Sequence, residues 1–98
     1  MNPATFAAFE AQARAAGFDQ VLERDWEPNK VIPMHTHPFA VKAIVTQGDM
    51  WLTLDGVKRH IKSGDAFEVA AEALHAEHYG EQGTSLWVAR RHVVAGKH

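Results

Sequence analysis

His35 and His37 flank one residue in the run Pro33-Met34-His35-Thr36-His37-Pro38, and a third histidine, His75, follows well behind the Gly64-Asp65 turn. Three imidazoles brought to one point hold a metal ion, imidazole being the commonest side-chain ligand. The spacing says how the first pair is presented. On an extended strand residues i and i+2 project from the same face, so both can reach one ion. Helical metal pairs sit three or four residues apart, and proline on each side of this run breaks a helix. A lone His-x-His also suits two hydrogen-bonded core histidines, and it is the third histidine that shifts the reading toward ligands.

The elements around these residues are β-strands. After Gly17 the chain breaks into short alternating runs punctuated by turn residues, the pattern of an all-β sandwich or barrel. Strands are expected at 19–26, 30–34, 39–47, 50–55, 57–62, 66–69, 75–80 and 84–94. Asp55-Gly56 predicts a type I′ hairpin that sets Leu54 opposite Val57, Leu52 opposite Arg59 and Met50 opposite Ile61. Gln47-Gly48-Asp49, Ser63-Gly64-Asp65 and Glu81-Gln82-Gly83 read as further turns. Counting alternately from His35 places His37, Phe39, Val41, Ala43 and Val45 on one apolar, inward face. Before Gly17, Phe6, Phe9, Ala13 and Ala16 recur at helical spacing, with Asn2 as cap, Pro3 in the first turn and Glu10-Arg14 as an i, i+4 pair.

Composition bounds what such a fold can do. The chain has 98 residues, 46% hydrophobic and 22% charged, which suits one globular domain, here 1–98 with a helical segment over 1–17. A net charge of −2 and no basic cluster larger than Lys58-Arg59 or Arg90-Arg91 argue against nucleic acid. The absence of cysteine removes disulfides, thiolate nucleophiles and sulfur-ligated zinc. No run approaches the roughly 18 apolar residues of a membrane span, and no basic segment precedes an apolar one at the start. A cytoplasmic location is therefore expected.

Both histidine segments resemble the motifs of the cupin superfamily, small β-barrels marked by G-x5-H-x-H-x3/4-E-x6-G and G-x5-P-x-G-x2-H-x3-N. The first falls on Asn29, His35, His37, Val41 and Gly48, with asparagine in place of the opening glycine, an exchange that keeps access to a left-handed turn. The second falls on Gly64, Ala70, Glu72, His75 and Tyr79, keeping the glycine and the histidine. Residues 49–63 separate the two, and the resemblance spans residues 28–92. It implies an all-β, cupin-like β-barrel, a double-stranded β-helix or jelly roll, preceded by one short helix.

The resemblance also implies a mononuclear metal on His35, His37 and His75. Val41 stands where many cupins place a glutamate ligand, so the implied set is three neutral imidazoles with open coordination positions. Such a site suits Fe(II), Ni(II) or Zn(II), with Cu(II) and Mn(II) less fitting, and attracts anionic or chelating small molecules. Cupin dioxygenases holding Fe(II) with three histidines make oxygenation of a small chelating substrate the leading expectation. The alternative is a small-ligand or metal-binding sensor module without turnover.

Three further residues are candidates at the site. Glu77 shares the face of His75 and reads as an acid/base group or as a rim carboxylate. Tyr79 continues that face and either bonds a ligand or fills the barrel end. Arg59, opposite Leu52, either anchors a substrate carboxylate or lies at the solvated mouth. Met50, Leu52, Phe67 and Val69 are expected to line the cavity, and His60, His78, His92 and His98 to face away from it. Ile44, Trp51 and Trp26 are expected where a second copy would cover them, predicting a homodimer.

Overall fold

Asp55 and Gly56 both take positive φ, 54° and 76°, the geometry of a type I′ turn. They join strand β3 (Phe39–Leu54) to β4 (Val57–Lys62) in the expected register, Leu54 opposite Val57, Leu52 opposite Arg59 and Met50 opposite Ile61. The computed structural model describes residues 3–92. Asn2 and His98, and the positions expected of them, lie outside the described residues. The remaining elements are α1 (Phe6–Ala15), β1 (Gln20–Trp26), β2 (Val31–His35), β5 (Ala66–Val69) and β6 (His75–His92).

Two of the expected turns are bends inside long strands. Gln47-Gly48-Asp49 lies within β3 and Glu81-Gln82-Gly83 within β6, and the ladder between these strands shifts register between Val45 and Gln47 and again between Gly48 and Met50. Gly48 and Gly83 take φ of 78° and 80°, and a Cβ on Gly48 would run into the Gly83 carbonyl. Glycine here lets two antiparallel strands bulge and fold over together without parting. The outcome is two four-stranded antiparallel layers that share β3 and β6. One joins β1, the second half of β6, the first half of β3 and β5; the other joins β2, the first half of β6, the second half of β3 and β4. This is an all-β cupin barrel, as expected.

Alternation decides what each face buries. Ala43, Val45, Met50, Leu52, Ile61, Leu86 and Val88 point between the layers and form the core. Ile44 and Ala89, one residue out of phase, point outward and are covered by α1 through Phe9 and Ala13, with Phe6 and Phe9 set against Trp87. The helix is capped by Thr5, whose hydroxyl accepts from the Ala8 N–H at 3.1 Å, three residues later than the expected cap at Asn2. Gly17, at φ 95°, ends it as expected, with the Phe18 N–H reaching back to the Ala13 carbonyl. The partner surface expected from the sequence is thereby reduced. Ile44 lies beneath the chain's own helix, and Trp26 stacks inward on Tyr79, leaving Trp51 against His60 and His78 on the outer face. Among the described residues no helix is long and apolar enough to cross a membrane.

Candidate metal centre

Strand β2 ends at His35 and β6 begins at His75, and the two residues pair across the ladder. His37 does not lie on a strand. It belongs to the link 36–38 between β2 and β3, where Pro38 bars further ladder bonding. The expected continuity of alternation from His35 into β3 is therefore broken, yet His37 still faces the same cavity because Phe39 stacks on its ring at 4.1 Å and 2°. The three potential ligand atoms lie within 4.8 Å of one another, and the His35 and His75 rings are 4.3 Å apart. Modest side-chain rotation brings such a set to the ~2.1 Å metal–nitrogen distance.

One feature prepares all three rings alike. Each Nδ1 is bonded to a nearby backbone carbonyl: His35 to Pro33 at 2.8 Å, His37 to Phe39 at 3.0 Å, His75 to Ala73 at 2.8 Å. A carbonyl only accepts, so each Nδ1 carries the proton and each Nε2 offers a lone pair. Backbone oxygens thus do for this triad what outer carboxylates do for other histidine ligands: they fix tautomer and orientation. Burial, foremost, and the neighbouring His75 and His35 hold the His37 pKa below the usual histidine value, which keeps its imidazole neutral and available. The residues present fit a metal ion.

A carboxylate is also close, though it comes from a different strand than the family pattern suggests. Glu77 Oε2 lies 3.1 Å from His75 Nε2, with His75 only 1% exposed and Glu77 14%. Two acceptors cannot bond each other. With Nδ1 committed to Ala73, Nε2 and Oε2 are close enough to share a cation between them. The Tyr79 hydroxyl donates to Glu77 Oε1 at 2.9 Å and so fixes the carboxylate. Burial, with the Glu77 charge behind it, pushes the Tyr79 phenol far above the ordinary range, so it acts as a permanent donor.

The cavity holds about 200 Å³ and is lined by His35, His37, His75, Val41, Phe67, Val69, Glu77 and Tyr79, among others. Met50 and Leu52, expected in that lining, are wholly buried outside it. Arg59 pairs with Leu52 as expected but is exposed and does not line the cavity, because β4 is the last strand of its layer and a long side chain there reaches water. The arginines that do line it are Arg24 and Arg90, together with Trp26. Strand alternation carried the signal for both. Arg24 falls between inward Leu22 and Trp26, and Arg90 continues the inward series Leu86, Val88.

Barrel and triad together define a cupin with a site able to hold a metal. More narrowly, the chain belongs to the AraC-like ligand-binding domain family, whose model matches residues 17–91. No curated protein matches it in sequence. Among solved structures it is similar to an RmlC-like cupin from Shewanella frigidimarina, at 18% identity and a TM-score of 0.69 over 81% of this chain and 70% of that one. KdgF from a Halomonas species aligns at 20% identity and a TM-score of 0.63, over 76% and 69% of the two chains. A predicted oxalate decarboxylase from Thermotoga maritima aligns at 14% and 0.67, over 84% and 73%. At such identities the likeness shows the fold.

Proposed function

We propose that this cupin is a small metal-dependent enzyme that binds a short chelating acid at His35, His37 and His75, with Fe(II) chemistry of the dioxygenase type. The observation that carries this reading is the fixing of three Nε2 lone pairs toward one cavity by three separate backbone carbonyls. Structural histidines need no such common orientation. Bound there, a divalent ion supplies Lewis acidity and, as Fe(II), access to dioxygen. Three neutral ligands leave the charge of that ion to the neighbouring Glu77 carboxylate and to an anionic ligand. Glu77, held by Tyr79 and next to His75, is placed to take a proton from that ligand at Oε2. Apolar Val41, Phe67 and Val69 line the cavity between these groups. Its volume lies below the ~300–1,000 Å³ typical of drug-sized ligands, which restricts the ligand to a few carbons.

A second reading, capture of the same ligand without turnover, is favoured by the ligand-binding family model. Metal analysis of protein purified without chelator comes first, and about one divalent transition ion per chain is expected. Anaerobic loading with Fe(II) and an oxygen electrode then separate the readings over a set of diketone, thiol, catechol and hydroxy-acid probes. Oxygen uptake with product supports the enzyme; a ligand-induced thermal shift without uptake supports the binding module. Protein that takes up no metal and loses nothing on His35→Ala refutes both.

A further inference from the structure

Arg24 and Arg90 form a second pole of the same cavity. Both project inward from adjacent strands, Arg24 from β1 and Arg90 from β6. Neither has a carboxylate partner: among the described residues every ion pair is made elsewhere. The guanidinium of Arg24 lies over the Trp26 ring at 4.4 Å and that of Arg90 over Phe39 at 5.0 Å. Among the described residues the one side-chain hydrogen bond from Arg90 goes to neutral Gln20, at a long 3.4 Å, and its buried Nε has no partner. Buried donors are almost always satisfied, and a guanidinium left short of acceptors beside a like charge is a costly arrangement unless an anion completes it. Burial, and then the charge of Arg24, hold Arg90 below its usual pKa.

The aromatic rings tie this pole to the histidines. Phe39 touches Arg90 on one side and His37 on the other. Trp26 carries Arg24 and stacks on Tyr79 at 4.8 Å, and Tyr79 leads through Glu77 to His75. Arg90 is therefore one ring from a histidine and Arg24 three side chains from another, around one small cavity.

We propose that Arg24 and Arg90 bind a second carboxylate of the ligand, which makes the ligand class a short dicarboxylic acid whose other end, a hydroxy- or keto-carboxylate, chelates the metal. Planar guanidinium forks match a carboxylate, and flat rings hold them ready without supplying a competing acceptor. The inference rests on the metal reading above for the chelating end alone.

Malate and lactate test it, since they differ by the distal carboxylate. Calorimetric titration of Zn(II)-loaded wild type should give malate at least a ten-fold lower Kd than lactate. In the Arg24→Gln/Arg90→Gln variant that ratio should fall below two-fold, with the lactate Kd and the metal content unchanged. If the double variant does not fold, Arg90→Lys, which keeps the charge but loses the fork, should lower the ratio at least three-fold. Equal affinities in wild type, a preference that survives in the variants, or binding of neither acid overturns the proposal. Metal-free protein separates the two readings. An arginine-dependent preference for malate that persists without metal leaves this inference standing and removes the ion; equal, strictly metal-dependent binding of both acids does the reverse.

Discussion

The two poles of the cavity are built in opposite ways. On the histidine side every ring has one nitrogen satisfied by a backbone carbonyl, so that what remains is a directed lone pair. On the arginine side the groups rest on aromatic faces, and donors remain, one of them buried and unpaired. The first arrangement stores geometry for a cation; the second stores unsatisfied charge for an anion. A bifunctional ligand with metal at one end satisfies both, and the contrast says which measurements should respond to which side.

The largest effect belongs to the cation side. His75→Ala removes the most buried of the three imidazoles and takes from Glu77 one of its two partners, so affinity for Zn(II) or Ni(II) should fall about 1,000-fold, ~4 kcal/mol. Chelator competition reads it directly. The same variant should also lose the thermal stabilisation that metal gives wild type, about 2.7 kcal/mol at a hundred-fold excess over Kd. Unchanged metal affinity would remove His75 from the site.

The poles confront each other only because β3 and β6 fold over together, and Gly48 allows that. Gly48→Ala asks a Cβ to enter the Gly83 carbonyl at φ 78°, a collision with backbone that side-chain motion cannot relieve. Denaturant unfolding should show a loss of about 2–4 kcal/mol. A neutral result would mean that the bend is placed by something other than glycine.

Legibility in the sequence divides along the same line. The histidine side is local: an i, i+2 pair, its prolines and one motif histidine carry their meaning within a few residues, as do the Asp55-Gly56 turn and its register. The arginine side is not. Arg24 and Arg90 are single residues on separate strands, four positions apart in the ladder that pairs Gln20 with Arg90 and Arg24 with Leu86, and only the closed cavity brings them together. Arg59 had the same parity argument and fails because alternation says which way a residue points, not whether a neighbouring strand covers it. The Gly48 and Gly83 segments read as turns because bend and turn use the same residues, and the pairing of one with the other distinguishes them.

Val41→Glu joins the two sides. Val41 lines the cavity beside the histidines, and its cross-strand partner in β6 is Arg90. The introduced carboxylate therefore has Arg90 within reach as well as the metal. Pairing with the guanidinium should lower malate affinity about ten-fold, roughly 1.4 kcal/mol, while lactate affinity changes less. If the carboxylate turns to the metal instead, the loss is shared by both acids and preference moves toward harder ions such as Mn(II). The ratio of the two Kd values distinguishes these outcomes.

The smallest effect lies in the loop that holds His75. Glu72 takes φ of 65° where the family motif has glycine, and its N–H donates to the His37 carbonyl at 2.9 Å, binding this loop to the other histidine segment. A side chain in the left-handed region costs ~1–2 kcal/mol, and glycine gives back roughly half of that through the entropy of the unfolded chain. Glu72→Gly should therefore stabilise the protein by about 0.5 kcal/mol, a rise of some 2–4 °C in Tm, without changing metal affinity. Because the backbone bond to His37 is kept, the triad has no reason to move. A variant that instead melts earlier, or binds metal more weakly, would show that the Glu72 side chain itself supports the histidine side, and that positive φ is not the strain this loop carries.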